Sequence, residues 1–148
     1  SESLQTRLQP QASEKKITLH FASQIAQLPP IIGDPQRISQ AVYELIHNAI
    51  SFTPAGGEVT IAGAVQQEQD GPYLTLSVKD NGPGIALAEQ SRIFDRFYRG
   101  KQAESAQIPG TGLGRSMVTL IAQAHNGRLT VNSHPGEGST FTLWFPLS

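Results

Sequence analysis

The chain has 148 residues, 38% of them hydrophobic and 16% charged, with a formal net charge of -1; this suffices for one domain with a core and argues against nucleic acid as a main partner. With no cysteine there is neither a disulfide framework nor a thiolate metal site, and the four histidines lack metal-ligand spacing, so structural zinc is not expected. No apolar run reaches membrane-spanning length, and no signal-peptide pattern opens the chain.

Leu4, Leu8 and Ala12 recur at helical spacing through residues 1–13, interrupted by Pro10, which predicts a short helix with a thin apolar face. Its abrupt polar beginning reads as a cut from a longer protein. Residues 17–21 alternate apolar and polar side chains as a strand does, and a loop follows through Pro29-Pro30. Asp34-Pro35 opens the strongest helix: the aspartate caps free amides, and proline at the first helical position loses no hydrogen bond. The helix is expected to run to about Phe52, with Ile38, Val42, Leu45, Ala49 and Phe52 as its core stripe. Glu44, Asn48 and Ser51, spaced four and three apart, project together beside that stripe, either toward one ligand or as a solvated face.

The residues 53–57 end this helix. Val59, Ile61 and Val65 alternate along a strand, residues 66–71 turn the chain, and Leu74, Leu76 and Val78 share one face of the next strand. The same parity puts Asp80 on that inward row, where a carboxylate needs a hydrogen-bonding partner, either a ligand donor or the turn it caps. Residues 89–94 read as a short helical turn, and the polar residues 100–109 as a mobile lid. From Leu113, Met117, Leu120, Ile121 and Ala124 mark a second amphipathic helix whose N-terminus is a glycine turn, a place where amides and dipole favour anions. It stops at residues 125–127. Residues 129–131 and 141–145 then pair as strands, with Phe141, Leu143 and Phe145 in the core. His20, His125, His134 and Trp144 are read as structural. The pattern predicts a two-layer α/β sandwich, a mixed and mostly antiparallel sheet with helices packed on one face.

Two glycine-rich turns, residues 80–85 and 110–114, flank an aromatic and basic segment, residues 93–99, as a wall around something phosphorylated would require. Neither turn is a GxxxxGK[ST] phosphate loop, and neither fits GxGxxG, because Arg115 stands where the third glycine would fall. Asn48 on a helix, DxGxGI at 80–85, FxxF at 94–97 and GxGLG at 110–114 resemble, in this order, the N, G1, F and G2 boxes of the catalytic ATP-binding domain of sensor histidine kinases. That domain belongs to the GHKL ATPase superfamily with its Bergerat fold. Residues 34–38, 44–49 and 52–54 are also similar to the kinase branch.

The resemblance implies an enzyme that binds ATP and Mg²⁺ and transfers the γ-phosphate to a histidine, within two-component signal transduction. It implies that Asn48, with Glu44, takes part in catalysis and holds Mg²⁺; that Asp80 accepts from the adenine amino group; that Gly82 and Gly84 make room for the base; and that the amides of Gly110, Thr111, Gly112, Leu113 and Gly114 wrap phosphate. Phe52 would lie beside the nucleotide, Ser139 in a final GT-like element, and Arg96, Arg99 and Lys101 on the lid side, with Lys101 equally suited to a solvated charge. Ile85, Phe94, Phe97 and Tyr98 complete the implied lining. Ser51 and Arg115 depart from the family pattern, which has lysine and an aliphatic residue there; a linked role, with Arg115 supplying phosphate-directed charge absent at Ser51, is one reading of the pair. None of the four histidines sits in a phosphoacceptor motif, so the acceptor domain and the response regulator are expected outside this chain, residues 1–15 being the link from the former, in a cytoplasmic domain whose parent can be membrane-anchored. Rival readings are a hydrolytic GHKL ATPase with Glu44 as base, a non-catalytic nucleotide-binding module, and a serine kinase of the anti-sigma-factor type.

Overall fold

A computed structural model describes residues 2–22, 33–82, 113–134 and 136–147. In chain order these form α1 (Glu2–Glu14), β1 (Thr18–Phe21), α2 (Pro35–Phe52), β2 (Glu58–Glu68), β3 (Gly71–Asp80), α3 (Leu113–Ala124), β4 (Arg128–His134) and β5 (Gly138–Pro146). The strands make one sheet in the order β1-β2-β3-β5-β4. β1 and β2 pair in parallel, which requires a crossover, and α2 supplies it. The other pairings are antiparallel.

One cluster forms the core. It unites Leu8 and Ala12 of α1, the buried face of α2, Val118, Ile121 and Ala122 of α3, and Val59, Ile61, Val78, Leu143 and Phe145 of the sheet. The helices therefore share one face of the sheet, as the patterning predicts. On the opposite face Arg128 is stacked over Trp144 (4.3 Å) and Tyr73 (5.2 Å) and paired with Glu68 (3.3 Å).

Local signals explain the start of α2. Asp34 Oδ1 accepts from the amides of Gln36 (3.0 Å) and Arg37 (3.3 Å), with Pro35 at the first helical position. The buried face is wider than the expected stripe: Ala41, Ile46 and Ile50 join Val42, Leu45 and Ala49, while Phe52 is only half-buried. The reason is that α2 is covered by α1 and α3 as well as by the sheet.

Several expectations are corrected. α1 is a continuous helix through Pro10, and its apolar face is not thin in effect, because Leu8 and Ala12 are fully buried; tertiary burial outweighs the hydrogen bond that proline removes. The β2–β3 turn is Gln69-Asp70 rather than residues 66–71, since pairing continues to Glu68 opposite Gly71; the Glu68–Arg128 pair and the stacking of Arg128 on Tyr73 tie down that end of the hairpin. In α3 the buried residues include Val118 and Ala122, whereas Leu120 is 65% exposed and Ala124 is also exposed. β4 and β5 extend beyond the expected 129–131 and 141–145 at both ends. The proposed turn at 89–94 and lid at 100–109 lie outside the described residues.

α3 ends as its sequence suggests. Asn126 takes a positive φ of 60°, and the Gly127 amide donates back to Ala122 O (2.8 Å). His125 is structural: Nδ1–H donates to Ile121 O (2.8 Å), and Nε2 accepts from the Asp34 amide (3.0 Å), linking the end of α3 to the cap of α2.

Candidate nucleotide site

Four strand residues of the same parity, Leu74, Leu76, Val78 and Asp80, run along the inner face of β3, and the last is a carboxylate only 7% exposed. Backbone amides answer it: Gly82 N donates to Asp80 Oδ1 at 2.9 Å, and Ser139 N also donates to the carboxylate from the paired position on β5. Burial pushes the Asp80 carboxyl above the usual aspartate range, and the two amides offset only part of that rise.

The surrounding backbone is packed closely enough to need glycine. A Cβ at Gly82 would lie 3.0 Å from Phe52 O and 3.1 Å from Asp80 Oδ1, so the last turn of α2 and the end of β3 meet there. Gly138 has φ 101°, and a Cβ there would run into Asp80 O. Asn81 Oδ1 accepts from Glu58 N (2.8 Å), binding the same corner to β2. Ser139, buried beside Asp80 in the sheet register, pairs its hydroxyl with Ser133 Oγ at 2.8 Å.

On α2, Glu44, Asn48, Ser51 and Phe52 are all half-buried. Asn48 Nδ2 is buried and has no hydrogen-bond partner among the described residues. An orphaned buried amide costs about 1–3 kcal/mol, and a side-chain amide can turn either its oxygen or its nitrogen toward a ligand. These side chains fit Mg²⁺ of the kind that accompanies nucleotide phosphates, which takes one or two protein oxygens: Asn48, with Glu44 one turn away, would hold it. Among the described residues no three histidine, cysteine or acidic side chains gather into a metal cluster.

The structure thus brings together Asp80, Gly82 and Ser139 at one corner and joins that corner to the α2 turn that carries Ser51, Phe52 and, one turn earlier, Asn48. The backbones of Leu113, Gly114 and Arg115 open α3, which packs against α2; the side chains of Leu113 and Arg115 lie outside the described residues. So do Gly84, Ile85, Phe94, Arg96, Phe97, Tyr98, Arg99, Lys101, Gly110, Thr111 and Gly112. Sequence reasoning missed Asn81, Ser133 and Gly138. The parity of β4 and the glycines at 136 and 138 were the available signals for the last two.

A family described as histidine kinase-, DNA gyrase B-, and HSP90-like ATPase matches residues 33–148. The chain belongs to this family. Within it, the domain is 40% identical over 116 residues to the sensor-like histidine kinase SenX3 of Mycolicibacterium smegmatis, which covers 78% of this chain and 29% of that protein. It is 38% identical over 113 residues to the sensor histidine kinase WalK of Bacillus subtilis, covering 76% of this chain and 18% of WalK. The ATPase-family domain also superimposes on full-length ShkA in complex with AMPPNP, with a TM-score of 0.80 and 30% identity over 98% of this chain and 28% of that one. For the mycobacterial sensor histidine kinase MprB the TM-score is 0.75 and the identity 25%, over 98% of this chain and 92% of that one. The chain spans less than a third of the length of SenX3 and of WalK. An α/β sandwich of the histidine kinase catalytic-domain type is therefore its fold. Among the described residues no helix is long and apolar enough to cross a membrane.

Proposed function

We propose that this domain binds Mg-ATP and transfers the γ-phosphate to a histidine on a dimerisation and phosphoacceptor domain outside this chain, which then passes it to a response regulator receiver domain. The observation that carries the reading is the buried carboxylate of Asp80 at the junction of β3 with the last turn of α2, in a chain whose relatives are sensor histidine kinases. A carboxylate kept dry and answered, among the described residues, by two amides retains lone pairs for a donor of matching geometry, and the exocyclic amino group of adenine is such a donor. Gly82 keeps a side chain from crowding the Asp80 carboxylate, 3.1 Å from where its Cβ would stand. Asn48 and Glu44 hold the metal side, and Mg²⁺ when bound supplies charge neutralisation for the phosphates. Phosphoryl transfer asks the protein mainly for positioning and electrostatics, so the work of these side chains is to hold the nucleotide with its terminal phosphate facing the acceptor. The glycine turn before α3, with Arg96, Arg99, Lys101 and Arg115, is proposed to attend to the phosphates, and Phe52, Ser51, Ser139 and the aromatics at 94–98 to line the nucleotide. Residues 1–15 are proposed as the link to the phosphoacceptor domain, in a cytoplasmic location.

The test supplies a separately purified phosphoacceptor domain of the parent protein together with labelled ATP. Acid-labile label should appear on the acceptor and none should remain stably on this domain alone. Acid-stable label on the isolated domain would refute histidine transfer. A second reading rests on Glu44, half-buried one turn from Asn48, where a carboxylate can activate water for ATP hydrolysis. Phosphate release without any acceptor, abolished by Glu44→Gln, would favour it.

A further inference from the structure

The turn between α1 and β1 is stitched to the C-terminal end of α2. Lys15 Nζ donates to Ile50 O (3.0 Å) and to Ser51 O (2.6 Å), two carbonyls of the last helical turn. Such carbonyls lack intrahelical partners, and Pro54 has no N–H to offer Ile50 in continuation. Lys16, at a positive φ of 63°, accepts from Gly56 N (2.9 Å), and Thr18 N donates to Gly57 O (3.0 Å). α1 itself is held by the buried Leu8 and Ala12 and by a hydrogen bond from Gln11 to Tyr43 Oη (3.0 Å), so the ammonium is delivered from a fixed support.

The far side of the same α2 turn is the nucleotide side. Phe52 O abuts Gly82, and the loop after the turn leads into Glu58, whose amide is held by Asn81. We infer that Lys15 is a positioning residue for the nucleotide site: it holds the turn that carries Ser51 and Phe52, with Asn48 just before it, in register with Asp80 and Gly82. The inference rests on the nucleotide reading above. Burial pushes the Lys15 pKa down, as expected for an ammonium taken partly out of water to meet two carbonyls. Its positive charge also complements the negative end of the helix dipole.

The experiment compares the wild-type domain with Lys15→Met, Lys15→Arg and Leu129→Ala, the last a core truncation on edge strand β4, remote from α2's end. Affinity for a non-hydrolysable ATP analogue is measured with and without Mg²⁺, alongside hydrogen exchange of residues 48–57 and 80–82 and thermal unfolding. Lys15→Met should bind the analogue about five- to tenfold more weakly, the scale of a lost cation at a partly buried helix end, and should exchange faster in both segments. Lys15→Arg should restore both, and Leu129→Ala should lose stability without either change. Binding and exchange in Lys15→Met equal to wild type would overturn the inference, as would an equal loss in Leu129→Ala. If Lys15→Met does not fold, Lys15→Gln carries the same comparison. Failure of the wild-type domain to bind the analogue would strike the nucleotide reading instead, and the exchange data would still decide whether Lys15 positions the corner.

Discussion

Replacing Asp80 by Asn keeps the shape of the side chain and removes its charge, so binding and stability should respond in different ways. The carboxylate is 7% exposed and takes amides from Gly82 and Ser139. A hydrogen bond from a ligand to such a charged acceptor is worth about 1.5–3 kcal/mol, and its loss weakens binding by roughly 10- to 150-fold. Stability depends on pH in the opposite sense to that of a salt-bridged aspartate. Because burial raises the folded-state pKa above the unfolded value, the folded protein binds the proton more tightly; stability is higher below the unfolded pKa and is lost as pH rises through the folded pKa. The Asp80→Asn substitution removes that loss but leaves one acceptor oxygen for two amides, and the two effects should nearly cancel at neutral pH, within about 1 kcal/mol. Calorimetric titration of an ATP analogue, with thermal unfolding from about pH 4 to 8 to span the window set by the raised pKa, reads both quantities. The reasoning is refuted by unchanged affinity in a variant of normal circular dichroism, or by a pH dependence of stability that Asp80→Asn leaves intact.

Three further outcomes are expected. Asn48→Ala should remove most of the Mg²⁺ enhancement of nucleotide affinity while changing stability by no more than about 1 kcal/mol, since the Nδ2 donor it deletes has no partner among the described residues; titrations with and without Mg²⁺ decide it. Leu8→Ala truncates a side chain with 0% exposure and should cost about 2–5 kcal/mol, a fall in Tm on the order of 5–15 °C; a loss under about 1 kcal/mol would mean α1 is not part of the core. Gly138→Ala faces both a φ of 101° and collision with Asp80 O, so denaturant unfolding should show a loss of at least about 1–3 kcal/mol, with weaker analogue binding.

The features legible in the sequence are those with a local cause. The cap at Asp34-Pro35, the shared face of Glu44 and Asn48 on α2, and the inward parity of Asp80 follow from helix and strand periods, and each stands in the structure as the periods imply. Periodicity reports which side of an element is apolar but not what covers it or from how many directions. The width of the α2 buried face, the burial of Leu8 behind a proline, and the choice of Val118 and Ala122 over Leu120 in α3 were decided by how the helices lie against one another. The same holds for contacts across long chain separations: Lys15 reaches carbonyls 35 and 36 residues away, and Asn48 Nδ2 is buried without a partner among the described residues. Such contacts depend on where two surfaces meet, a property of the packed chain that no short window of residues contains.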